Sequence, residues 1–267
     1  MKDFCVILMF DKKFLSKSHA TIQQIRDVGL YKGDIVCIIA DNLRGSEHLL
    51  YKDENIIIKD FKQYSTDAIL NDPRKHPARP RDKETAKTCF PMKAKMIHYH
   101  KLYCFHTWFK ENYKKCFYID TGTQIFKSLD KIINLDCTNK LIAHSNAFPK
   151  YEPGDKMYTQ FDGVIYPDLY KELNKKFDLN VDHFQATVML FDTSIIENDT
   201  FDTLMELSYR YVNSKTNDQA ILNLYYGCMK HKWEQMRVRD EETYYYDFFE
   251  RGDLHKTDYI MVKYPQT

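Results

Sequence analysis

Residues 101–132 read KLYCFHTWFKENYKKCFYIDTGTQIFKSLDKI, and the short passage from Cys116 to Thr123 within them decides the fold. Cys116–Ile119 (CFYI) is an apolar, aromatic and β-branched run, the pattern of a buried strand. It delivers Asp120, followed by Thr121-Gly122-Thr123. In a parallel α/β sheet, ligands bind at the carboxyl ends of the strands, so a carboxylate placed there is a candidate for chemistry. The residues before it, Lys93 to Asn112, are expected to form one long helix with Ala94, Ile97, Cys104, Phe105 and Trp108 on one side. Lys101 falls near the middle of that stripe, where a charge is costly to bury alone. It either snorkels its stem to the surface or faces an anion in a cleft.

Working outward, Phe4–Phe10 is a continuous apolar run, and Asp34–Ala40 (DIVCIIA) and Asn55–Lys59 (NIIIK) are two more. Between the first two, Ser18 is placed to cap a helix whose apolar positions are Ile22, Ile25 and Val28, ending near Gly29. Strand, helix, strand with such runs argues a mostly parallel central sheet flanked by helices. Leu141–His144, Gly163–Tyr166 and Thr187–Phe191 are further strand candidates. A helix capped at Asn198, Asp199 or Thr200 presents Phe201, Leu204, Met205, Ser208, Tyr211 and Val212. Another begins near Asn217 and buries Ile221, Leu222, Leu224, Tyr225 and Cys228. The segment Asp72–Pro91 breaks the pattern: its four prolines and six Lys/Arg exclude a regular element. Arg74, Lys75, Arg79 and Arg81 there are suited to closing over a phosphate, or to lying solvated on the surface.

The balance of 39 basic against 38 acidic residues argues against a general nucleic-acid binder, since affinity for a polyanion needs net positive charge. The longest apolar run, Phe4–Phe10, is too short to span a bilayer, so no membrane span is expected. Seven cysteines, with no CxxC pair and no zinc spacing, read as buried thiols in a reducing, cytoplasmic setting. No linker or repeat divides the 267 residues, so one domain over 1–267 is expected. The commonest dinucleotide, P-loop, zincin and esterase motifs are absent.

Three segments in order resemble the donor-binding core of GT-A fold, Rossmann-like glycosyltransferases, closest to family 8, the group that includes glycogenin. They are Lys101–Ile132, HFQATVMLFDTS (His183–Ser194) and NDQAILNLYY (Asn217–Tyr226). The resemblance implies a nucleotide-sugar donor, UDP-linked, and a glycan, protein or small-molecule hydroxyl as acceptor, with retention of configuration. It implies a donor half, 1–135, and an acceptor half, 136–267, with a homodimer allowed. Asp120 takes the first acidic position of the family's Asp-x-Asp motif, beside Thr121 and Gly122, and would bind ribose and a metal. Lys101 and Lys95 would meet the donor sugar or diphosphate, and Asp11, after the first strand, the base or ribose. Asp218 and Gln219 would sit beside the transferred sugar, and Gln185 would take the place of the family's asparagine as a further catalytic candidate.

The second acid of the motif is Gly122 here, and the family's His-x-x-Gly-x-x-Lys-Pro-Trp region is distorted to HKTDYIMVKYPQT, His255–Thr267. Two arrangements stay open. In one, Mn2+ or Mg2+ is held by Asp120, His255 and the phosphates. In the other there is no metal, and Lys101, Lys95 or the arginines of 72–91 neutralise the diphosphate. Should the reaction invert configuration, Asp162, Asp192 and Asp218 are the acids able to serve as base. Tyr244, Tyr245, Tyr246, Phe248 and Phe249 are either acceptor-stacking surfaces or core packing. The alternative to an enzyme is an inactive domain of the same fold that binds a nucleotide-sugar or a protein.

Overall fold

The computed structural model describes residues 1–50, 53–61, 96–146, 156–164, 166–240, 243–247 and 258–264. In its first half lie β1 (Lys2–Phe10), α1 (Leu15–Asp27), β2 (Asp34–Ile39), β3 (Ile56–Lys59), α2 (Met96–His100), α3 (Thr107–Asn112), β4 (Tyr113–Ile119), β5 (Thr123–Ile125) and α4 (Asp130–Ile133). There follow β6 (Leu141–Ser145), α5 (Pro167–Lys176), β7 (Phe184–Asp192), α6 (Thr200–Arg210) and α7 (Asp218–Leu222). The chain closes with β8 (Trp233–Gln235), β9 (Arg239–Asp240), β10 (Thr243–Asp247) and β11 (Tyr259–Lys263).

The main sheet runs β3-β2-β1-β4-β7-β6-β8, with β7 antiparallel to both neighbours and the other pairings parallel. A strand covered on both faces needs apolar residues at every position, and β1 supplies them. Its Cys5, Ile7 and Met9 enter a core shared with Tyr103, Phe105 and α6, while Val6, Leu8 and Phe10 enter a second core with Ile22 and Ile25 of α1. Val6, Ile7 and Leu8 are fully buried, each contributing roughly 1.5–3 kcal/mol of transfer free energy. Strand order reverses between β1 and β4, and that reversal opens a crevice at their carboxyl ends, beside Asp120. A small sheet, β5-β11-β10-β9, folds against the second core.

Three expectations change, and the open question of the tyrosines is answered in part. The helix of Lys93–Asn112 is not continuous: α2 gives way to a 3-10 turn at Lys101–Phe105, and His106 turns extended (ψ 144°) to cap α3, its ring accepting from Trp108 N. All five residues of that turn are buried, so no amphipathic stripe exists for a single helix to follow. Ser18 lies inside α1, its hydroxyl donating to Leu15 O; the cap is Asp11, which accepts from Phe14 N at the start of a 3-10 turn leading into the helix. Within Gly163–Tyr166 the described residues are not a strand, because the Asp162 carboxylate accepts from Val164 N and curls Gly163 and Val164 into a turn with Val164 exposed. Tyr245 and Tyr246 are buried in the second core and Tyr244 is half-buried, so packing rather than acceptor stacking describes the first two. The helix begun near Asn217 continues beyond Leu222 as a π-helix, Asn223–Met229.

Candidate active site

Asp120 follows directly on β4, and its backbone is fixed from two sides. Its N–H donates to Thr187 O of β7 at 2.8 Å, and its carbonyl accepts from Thr123 N at 3.1 Å. This closes a turn whose third residue, Gly122, has φ +82°, a conformation that glycine adopts without steric cost. Gly122 N donates to the Thr21 hydroxyl and Ile125 N to Gln24 Oε1, so α1 holds the loop in place.

Lys101 stands at the centre. Only 4% exposed, it donates to Ala186 O at 2.9 Å, and its ammonium lies 3.1 Å from Asp120 Oδ1 and 3.2 Å from Asp218 Oδ2. Burial alone would lower its pKa; Asp120 and then Asp218 outweigh that and hold it above the usual lysine value. The snorkelling reading of Lys101 is therefore excluded. Burial would likewise raise Asp120, but Lys101, Lys263 and the Tyr118 hydroxyl, which donates to Asp120 Oδ1, hold it below the ordinary carboxylate range.

Asp218 opens α7 and is 2% exposed; its other oxygen lies 3.6 Å from His98 Nδ1. The residue before it, Asn217, has φ +53° and ψ −116°, a strained conformation for a side chain with a Cβ. Ser214 Oγ donates to the Asn217 carbonyl and helps to hold it. Gln219 is fully committed: its Oε1 accepts from Ala186 N, and its Nε2 donates to Gln160 Oε1 at 3.1 Å. Ala186 thus accepts from Lys101 at its carbonyl and donates to Gln219 from its N–H. Asn223 seats the helix on β7, donating to Phe184 O and accepting from Phe184 N. Gln185 donates to Asn146 Oδ1, and its Oε1 is buried without a hydrogen-bond partner.

On the far side of the Asp120 loop, Lys263 ends β11 with its ammonium 2.5 Å from Thr121 O. A groove of about 320 Å³ opens there between α1, the loop and Lys263. Divalent ions of the Mg2+ type need several oxygen ligands. Here Asp120 Oδ1 is already engaged, Gly122 offers no side chain, and no group of three His, Cys, Asp or Glu side chains among the described residues is placed to hold a metal. The described residues do not fit a metal centre.

Of the residues expected from sequence, Lys101, Asp120, Asp218 and Gln219 come together, with Thr121 and Gly122 on the adjoining loop. Asp11 serves as a cap. Asp192 lies at the opposite end of the sheet, its register partner being Lys115, and its carboxylate accepts from Asn139 N and Ser194 N. Lys95, His255, Phe248, Phe249 and the 72–91 arginines lie outside the described residues. Sequence reading missed Tyr118, Gln160 and the role of Asn217. For Tyr118 a signal existed, because residues two apart on a strand share a face. Gln160 offered none.

The family model described as glycosyl transferase family 8 matches residues 5–239. No curated protein sequence matches significantly. Among solved structures, an active-site mutant of LgtC is similar with TM-score 0.62 at 13% identity, covering 98% of this chain and 88% of that one. The galactosyltransferase LgtC in complex with donor and acceptor sugar analogues is similar with TM-score 0.56 at 14% identity, covering 86% and 72%. The bifunctional glycosyltransferase WbbM follows at 0.52 and 18%, covering 89% and 39%. At these identities the structures establish a shared fold, the GT-A α/β architecture with its mostly parallel sheet. No helix among the described residues is long and apolar enough to cross a membrane.

Proposed function

The chain belongs to glycosyltransferase family 8, and from that premise we propose that it transfers a sugar from a UDP-linked donor to a hydroxyl acceptor with retention of configuration. The observation that carries the reading is the buried Lys101 ammonium, which bridges Asp120 at the end of β4 and Asp218 at the start of α7. Two segments distant in sequence are thereby joined at the crevice where α/β folds take their ligands.

In this reading Asp120 receives donor hydroxyls on its partly exposed edge, and Lys101 holds both carboxylates in place. Asp218 provides negative charge beside the anomeric carbon, where positive charge grows as the C1–O bond to the diphosphate breaks. The acceptor oxygen bonds C1 on the same face, and its proton passes to the departing phosphate oxygen, so no separate strong base is needed. Gln219, with both ends of its amide engaged, is a positioning residue that holds the Ala186 peptide under Lys101. Residues 1–135 form the nucleotide-binding half, and 136–267 the acceptor-binding and C-terminal half, which also brings Asp218 to the donor sugar. The test is to follow UDP-sugars with simple glycoside, peptide and polyol acceptors by proton NMR. An α-linked product from an α-linked donor is expected. A β-linked product would overturn retention, and no consumption of any UDP-sugar would overturn the UDP assignment.

A further inference from the structure

We infer that Lys263, assisted by Lys17 and the Thr123 hydroxyl, supplies the positive charge that holds the donor's diphosphate, in the place where an Asp-x-Asp site would install a metal ion. The inference rests on the nucleotide-sugar reading above and names the groups that receive the phosphates. It differs from the metal-free arrangement considered from sequence. That arrangement used Lys101, whose charge is already matched by two carboxylates.

Lys263 is matched by none. It is 6% exposed, and its hydrogen bond goes to a neutral carbonyl, Thr121 O. Among the described residues no carboxylate stands within ion-pair distance of it; Asp120 is the acid that acts on it from further away. A buried ammonium without a counter-charge is expensive, and burial duly draws its pKa below the usual lysine value. An anionic ligand would remove that cost. The groove in front of it suits one: the charged residues lining it are Lys17 and Lys263, with no acid. Thr123, on the same wall, has a buried hydroxyl without a hydrogen-bond partner. Gly122 completes the case. A Cβ added there would lie 3.5 Å from Lys263 Nζ and 3.7 Å from Lys17 Cδ. The position where the family pattern expects a second acid therefore faces a cation, and glycine leaves that cation uncancelled.

The experiment is calorimetric titration with UDP, and with uridine as the phosphate-free control, in EDTA and then in Mn2+. UDP is expected to bind equally well in both media. Lys263→Met is expected to weaken UDP by about tenfold or more while leaving uridine unchanged. Its unliganded melting temperature should be at or above the wild-type value, since a buried unmatched charge has gone. Lys17→Gln, on the surface, should give a smaller loss. Gly122→Asp, compared with Gly122→Asn, which carries the same strain at φ +82° without the charge, decides between the two chemistries. An acid there would pair with Lys263 and weaken UDP, whereas at a metal site it would add a ligand and strengthen UDP in Mn2+. Binding that needs Mn2+, or a Gly122→Asp variant that gains affinity with it, overturns the cation assignment alone. Failure of UDP, GDP, CDP and ADP to bind in either medium overturns the nucleotide-sugar reading and this inference together.

Discussion

Lys101 Nζ lies 3.2 Å from Asp218 Oδ2, both side chains almost wholly buried, and the same ammonium reaches Asp120 at 3.1 Å. One cation thus bridges two carboxylates that would otherwise repel one another. Removing it should cost more than a surface ion pair. Breaking a buried pair by deleting one partner typically costs about 3–5 kcal/mol, so Lys101→Met should lower stability by that amount in urea denaturation. The double variant Lys101→Met/Asp218→Asn should recover part of it, because the stranded carboxylate is gone. Additive losses would contradict the coupling.

The two ends of the pH scale should behave differently. Asp120 is held below the ordinary carboxylate value, so its contribution is present above about pH 3.9 and is lost as pH falls through its depressed folded value. Lys101 is held above the ordinary lysine value, so its contribution is complete below about pH 10.4 and is lost as pH rises through its raised folded value. Melting temperature against pH should therefore show a plateau with a fall at each end. In Lys101→Met the acid fall should begin at higher pH, because Asp120 has lost its largest favourable neighbour. Superimposable profiles would refute this.

Asn217 holds φ +53° with ψ −116° directly before Asp218. Glycine adopts that region freely, so Asn217→Gly should stabilise the fold by about 1 kcal/mol or be neutral. A gain of that size raises the melting temperature by about 2–4 °C for a domain near this size. Asn217→Val should lose about 1–3 kcal/mol. Differential scanning calorimetry of the pair checks the order, and a stable valine variant would argue against strain at this residue.

Asn223 satisfies both backbone groups of Phe184, donating to its carbonyl at 2.9 Å and accepting from its N–H at 2.8 Å. Asn223→Leu leaves both unpaired inside the protein, where each unsatisfied group costs about 1–3 kcal/mol. The Gln219 amide should then lose its fixed position against Ala186. A variant as stable as wild type in denaturant titration would show that the clamp is unimportant.

How much of this was legible in the sequence depends on the kind of signal. Asp34–Ile39 and Cys116–Ile119 are apolar at nearly every position, which only a strand covered on both faces requires, and the acid at the end of the second pointed to the crevice. The division of Met96–Asn112 was hidden because the Lys101–Phe105 turn is buried on all sides, and helical periodicity carries no information there. The aromatic and β-branched look of Gly163–Tyr166 misled because a local Asx turn at Asp162 outweighs strand propensity. Lys101 and Asp218 could each be singled out, but that they share a salt bridge depends on how α7 packs against β7, and no local pattern encodes it. Lys263 lies within the distorted C-terminal stretch His255–Thr267, but nothing there foretold its burial against Thr121.

The central claim, that Asp218 acts on the reacting sugar while the nucleotide is held elsewhere, is tested most directly by one paired measurement. The rate of UDP-sugar consumption and the dissociation constant of UDP are determined together for wild type and Asp218→Asn. Loss of a preorganised charge at the reacting carbon should slow consumption by about 10²–10³-fold. The UDP dissociation constant should stay within about threefold, since that lies well inside the 1.4 kcal/mol that corresponds to a factor of ten. Unchanged turnover, or a loss of UDP affinity as large as the loss of rate, would contradict the account.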